Sequence, residues 1–470
     1  MHQGNSGGIA MVVWNEENAA HLLSRAGFGG KPQEVARYGK RTQASCVAVL
    51  LRPKPSRAKG PGVADNDRES LIKLAQWWSK RMTTQTSRRL HEKMALFWHD
   101  HFATQYSVVK NVRRMSFQNR TFREFGMGSF HTLCREVTRD PAMLVFLDGK
   151  DNRASNLNEN YGREIMELFV LGESDINGAP NYTQTDVEEI SRALTGYRID
   201  GDAGVIRGNR FDDGSKTLFA GTGHEATGVL GVESPLGELY PPATNVIDIL
   251  FGHRDSDGAL TMPRFLGRKL WEYFAYPNPD IALIDEITTN FIAGGFIIQD
   301  LLQAIFTHDE FYSDEAKSST VRNPVEYAVS SIRALEARGN MNELPFQLDE
   351  MGMTLFEPPS VNGWSQGLPW ISSGQFLARL DFAQACAAGR SNTLKLIPKK
   401  LVPKTATSAA EVVDAILKRL QIQHAVPVDA RTALIDYLDD ETDFRDPVVL
   451  DTKVRGAVAL ILQMPEVQVH

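Results

Sequence analysis

Apolar residues recur along most of this chain at intervals of three and four rather than two. Leu71, Leu74, Trp77, Trp78 and Met82 form one such series, and Leu90, Met94, Phe97 and Trp98 continue it after a break. That spacing is the signature of amphipathic helices. It predicts helical structure over Trp14–Phe28, Ser70–Ala103, Val109–Glu124, Phe130–Val137 and Pro141–Phe146. Asn15 is placed to cap the first of these, Glu16 and Glu17 suit its first turn, and Gly27 stops it. Two more amphipathic runs follow in tandem over Leu157–Tyr197.

The texture changes from Arg198 to Leu239, where glycine, aspartate and short apolar groups dominate without a helical period. This stretch is expected to be an irregular excursion carrying a small β-hairpin. Helical spacing returns over Thr244–Phe251, Met262–Ala275, Ile281–Ala293, Ile298–Thr307, Pro324–Arg338 and Phe376–Ala388. A Pro/Gly/Trp loop, Pro358–Trp370, separates the last two. The expected fold is therefore mainly α: a flexible N-terminus over 1–13, a large multi-helix domain over 14–397 with an insertion near 198–239, and a three-helix C-terminal segment over 404–470 packed on it. No fixed-period repeat argues for a solenoid.

Composition narrows the classes. The 470 residues are 42% hydrophobic and 23% charged, as in ordinary globular proteins. A net charge of −7 gives nucleic-acid binding no support. Cys46, Cys134 and Cys386 are sparse, odd in number and in no metal spacing, which argues against a disulfide framework. The apolar run Ile9–Trp14 is too short for a membrane span or secretory core, so no membrane association is expected and the chain as written reads as cytoplasmic.

Candidate chemistry concentrates in two places. In HEKMALFWHDHF, His91–Phe102, Glu92 and His99 share a helix face, and a helix unwinding near Ala103 would let His101 join them. In the tandem helices, Asn160, Glu164 and Glu167 recur at i, i+4, i+7, and carboxylates beside core-type residues need a partner. His99, His101, Glu164 and Glu167 are the candidate ligands of one divalent metal ion. His99, Glu164 and Arg192 are the candidate catalytic groups, as acid–base residue, carboxylate partner and anion clamp. Thr183-x-x-Asp186 has the form of a capping box, which makes Asp186 a helix-start device. Asn160, Tyr161, Trp364 and Trp370 are the candidate substrate contacts, although the two tryptophans can equally cap the core where helices meet. The nominal reaction is hydrolysis, since a histidine with carboxylates suits water activation. A metal-dependent oxidation and a non-catalytic binding or scaffold role are the alternatives.

Several quoted segments carry a resemblance: HLLSRAGFGG at His21–Gly30, EKMALFWHDHFAT at Glu92–Thr104, NYGREIMELFVLG at Asn160–Gly172 and YTQTDVEEISRALTGY at Tyr182–Tyr197. RFLGRKLWEYF at Arg264–Phe274, NPVEYAVSSIRAL at Asn323–Leu335, LFEPPSVNGWSQGLPWISSGQFLARLDFA at Leu355–Ala383 and the closing ALILQMPEVQ extend it over nearly the whole chain. The series resembles the bacterial domain-of-unknown-function 1800 family. The resemblance implies no established catalytic residues, frequent export, and a partnership or shared pathway with sulfatase- or phosphatase-like proteins. It also implies that Phe211 stands where a histidine is common.

Overall fold

A computed structural model describes residues 13–52, 60–62, 66–85, 87–232, 244–390, 392–439 and 443–470. Helices dominate them, and most start where a short polar side chain meets an apolar-periodic run. Asn15 accepts from the Asn18 N–H at the start of the Glu16–Arg25 helix, as its sequence position predicts. Asp67 caps Arg68–Thr84. The Thr183/Asp186 capping box opens Gln184–Ala193, and Asn323 and Glu326 form another at Pro324–Ala334. Each box satisfies helix-end N–H groups that no carbonyl can reach.

The irregular excursion holds more β-structure than the one hairpin expected. Tyr197–Asp200 pairs antiparallel with Ala203–Ile206, and Lys216–Leu218 with Ala226–Gly228. Leu230–Gly231 pairs parallel with Thr244–Asn245. The expected flexible N-terminus lies, apart from Val13, outside the described residues.

Buried apolar side chains form one continuous cluster from Ala19 to Val467. The C-terminal helices Ala409–Leu420, Val428–Leu438 and Arg455–Leu462 feed Val413, Leu434 and Ile461 into it. Arg455–Leu462 packs against the Ser373–Ala388 helix.

Buried cations tie the helices together. Arg25 donates to the carbonyls of Phe274 (2.6 Å) and Ala275 (3.0 Å), closing the C-terminal end of the Thr261–Phe274 helix, where the dipole favours a cation. Arg379, fully buried, donates to the carbonyls of Trp370 (3.0 Å) and Arg322 (2.6 Å) and to Gln468 Oε1 (2.9 Å). Lys93 and Glu326 form a fully buried ion pair. The Lys93 ammonium also sits over the rings of Phe28 and Tyr273, 5.1 and 4.9 Å from their centroids. Burial pushes the Glu326 carboxyl up, but the charges of Lys93 and His470 outweigh it and hold that carboxyl well below its usual range.

Truncating one member of such a pair leaves an uncompensated buried charge, so Glu326→Ala is expected to cost roughly 3–5 kcal/mol in urea denaturation. Replacing both partners, as in Lys93→Met with Glu326→Gln, is expected to cost less than Glu326→Ala alone.

Candidate functional site

A cavity of about 390 Å³ opens where five segments meet. They are the end of the Arg89–His101 helix, the end of the tandem-helix unit, the Thr261–Phe274 helix, the stretch from Ser319 to Glu326, and the loop before Leu368–Ile371. Phe97, Asp100 and His101 line it from the first segment, four and seven or eight residues beyond Lys93, so all lie on one helical face. Glu92 and His99 belong to the opposite face.

The tandem-helix unit explains how the cavity gains its polar wall. Asn160–Glu164 is α-helical, but Ile165–Val170 widens into a π-helix. Leu171 and Gly172 N–H both return to the Met166 carbonyl, leaving those of Leu168 and Phe169 without helical donors. Lys269 Nζ donates to the Leu168 carbonyl (3.1 Å), and His101 Nε2 to that of Phe169 (3.0 Å). Because a carbonyl can only accept, the second bond puts the His101 proton on Nε2. Nδ1 is left as a buried acceptor without a partner among the described residues.

Asp100 faces the glycine-rich loop. Its Oδ1 accepts from the Trp364 N–H (2.6 Å) and its Oδ2 from Gln366 Nε2 (3.1 Å). Gly363, at φ +78°, lies so close that a Cβ there would overlap the Asp100 carboxylate. Asn-Gly-Trp is thus a backbone cradle for a carboxyl group. Burial pushes the Asp100 carboxyl up to about 7, against the lowering effects of the Trp364 N–H and the Lys269 charge. The last turn of a helix, where the dipole is negative, disfavours a carboxylate in the same sense. Burial likewise pushes the Lys269 ammonium down to about 8, with Asp100 acting against that fall. A carboxyl and an amine with ordinary values far apart are drawn to neighbouring values inside one cavity. Phe97, Leu168, Tyr273, Val361 and Trp364 give the same cavity apolar walls.

The residues singled out from sequence are distributed differently. His99 is buried among Trp78, Phe356 and Trp364, with ring centroids 5.2 Å to 5.6 Å apart in this cluster, and burial followed by the Arg123 charge pushes its imidazole down to about 3. A group that weakly basic is a neutral packing element near neutral pH. Glu92 is locked by Arg81 and Arg123 (2.6 and 2.8 Å) and by the indole N–H of Trp78 (3.2 Å). Glu164 is half-buried, and burial followed by the Glu167 charge raises its carboxyl. Glu167 accepts from the Tyr182 hydroxyl (2.8 Å). Among the described residues no three His, Cys, Asp or Glu side chains gather as a metal-ligand set, so His99, His101, Glu164 and Glu167 do not assemble as one. His99 and His101 lie about 200° apart on a helix that stays wound through His101, and the π-turn takes Glu167 out of the i, i+4, i+7 phase of an unbroken α-helix.

Arg192 is occupied by Asp212 (2.8 and 3.1 Å) and Glu189 (2.7 Å) rather than free to clamp an anion. Asn160 is exposed, whereas Tyr161 is buried with its hydroxyl donating to the Val137 carbonyl (3.3 Å). Trp370 is buried beside Arg379. Of the four expected substrate contacts, only Trp364 lines the Asp100 cavity. Phe211 packs inside, with the Lys216 ammonium 5.1 Å from its ring centroid.

Sequence reasoning passed over Asp100 and Lys269, although both lie in quoted motifs. The available signal was an aspartate in a helix's last turn, a place that local propensity argues against.

The family model for "Protein of unknown function (DUF1800)" matches residues 21–469. The chain belongs to that family. No curated protein and no solved structure matches it. The DUF1800 model thus spans every element of the cavity, from the Arg89–His101 helix to the Asn362–Trp364 cradle. No helix among the described residues is long and apolar enough to cross a membrane.

Asp100 holds a proton in the folded chain at pH values where the unfolded chain has released it. Its contribution to stability is therefore fully present below about pH 4 and lost as pH rises through about 7. Asp100→Asn, which cannot ionise, is expected to flatten that decline. Urea midpoints of variant and parent should diverge in the variant's favour between about pH 4 and pH 7, the span between the unfolded and folded pKa values.

Proposed function

We propose that this DUF1800 chain is an acid–base enzyme, nominally a hydrolase, acting on a small, partly apolar molecule bound in the Asp100 cavity. The pairing of Asp100 and Lys269, with values brought to about 7 and about 8, is the observation that carries the reading. Groups poised near the working pH are efficient proton carriers. The Asp100 carboxylate takes a proton from water as it attacks the substrate. The Lys269 ammonium faces the charge that develops on the leaving group and returns a proton to it. The apolar walls and Trp364 hold the rest of the molecule.

The test uses aryl esters of carboxylic, phosphoric and sulfuric acids with a chromogenic leaving group. A bell-shaped kcat/KM is expected, its rising limb near 7 from Asp100 and its falling limb near 8 from Lys269. Asp100→Asn and Lys269→Met should each lower it by about 10²–10⁴-fold, the range for losing a proton-transfer group. Rates unchanged in both variants would refute the assignment.

A non-catalytic binding role is the second reading. It is favoured by the locking of Glu92 and Arg192 in ion pairs. The implied association with a sulfatase- or phosphatase-like protein belongs to it. In that case Asp100→Asn alters ligand affinity, and no substrate in the ester panel turns over with the parent chain.

A further inference from the structure

A second cavity, about 550 Å³ in volume, shares no lining residue with the first. Two imidazoles meet on its wall. His224 comes from the glycine-rich stretch after Phe219, which itself adopts a left-handed backbone (φ 58°). His253 is the residue that ends the Val246–Gly252 helix. His224 Nε2 and His253 Nδ1 lie 2.9 Å apart, with the rings 4.7 Å between centroids and inclined at 69°. Phe219 packs on His253 at 4.2 Å and fixes its plane.

We propose that His224 and His253 form a binding site for a borderline divalent transition-metal ion of the Zn²⁺ type, chelated by the two facing ring nitrogens. Metal–imidazole bonds of about 2.0–2.1 Å place two adjacent ligand nitrogens about 3.0–3.4 Å apart, so movements of a few tenths of an ångström admit the ion. Imidazole donors select Zn²⁺, Ni²⁺ or Cu²⁺ over Mg²⁺ or Ca²⁺. Asp175, Asp186 and Asp255 line the same cavity against a single basic residue, Arg254, so acidic side chains outnumber basic ones around a cation there. They are already engaged: Asp175 with Ser256, Asp186 with Thr183 and the Phe219 N–H, and Asp255 with Arg264. Because no third His, Cys or carboxylate completes a set among the described residues, the other coordination positions are open to water or an external ligand.

Such a site is distinct from the four-residue set expected from sequence and from the Asp100–Lys269 pair, and its test is independent of turnover. The full chain, freed of metal by chelation and dialysis, is titrated with ZnCl₂ against a chromophoric chelator. One saturable equivalent is expected, together with a Zn²⁺-dependent rise in Tm. His224→Ala, at a partly exposed position, should weaken that binding at least tenfold and abolish the Tm rise. His224→Ala paired with His253→Gln should remove the site. Failure of the parent chain to take up Zn²⁺, or unchanged affinity in His224→Ala, would overturn the proposal and leave the pair as an imidazole–imidazole hydrogen bond.

Discussion

The Lys93–Glu326 ion pair is the constraint on which the central architecture depends. Two charges removed from water are tolerable only if each is fully matched. Here the match requires elements far apart in sequence: the Arg89–His101 helix, the Pro324–Ala334 capping box, the rings of Phe28 and Tyr273, and His470 at 3.2 Å from Glu326. Once Lys93 is held, the rotation of its helix is set. The residues one and two turns further on, Phe97 and Asp100, must then face the same way. The cavity is in this sense a consequence of how the pair is satisfied, and Glu326 itself forms part of its lining.

Much of the fold was legible because local signals agreed with one another. Asn15, Thr183 with Asp186, and the three-and-four spacing of Leu90, Met94 and Phe97 each act within a few residues, so their effect is readable from a short window. The second antiparallel pair, Lys216–Leu218 with Ala226–Gly228, was not legible, since three-residue strands carry too little alternation to register. The site was readable only as a neighbourhood. Histidine chemistry drew attention to Glu92 and His99, one residue out of phase with the side of the helix that lines the cavity.

The displacement has a physical reason. What made Asp100 and Lys269 distinctive is desolvation together with a partner across the cavity, and neither is a local property of the chain. Burial treats His99 and Asp100 alike in penalising charge, yet with opposite consequences. It drives the imidazole away from neutrality's working range and brings the carboxyl into it.

The widened turn at Ile165–Val170 carries a consequence of its own. An α-helix accommodates one surplus residue by bulging, so the register downstream is offset by a single position. Deleting one residue from this stretch would restore ordinary winding while leaving the flanking turns in place. The carbonyls of Leu168 and Phe169 would turn inward to new amide donors, releasing Lys269 and His101 from their anchors. Length, more than the identity of any side chain there, is what this segment has to conserve.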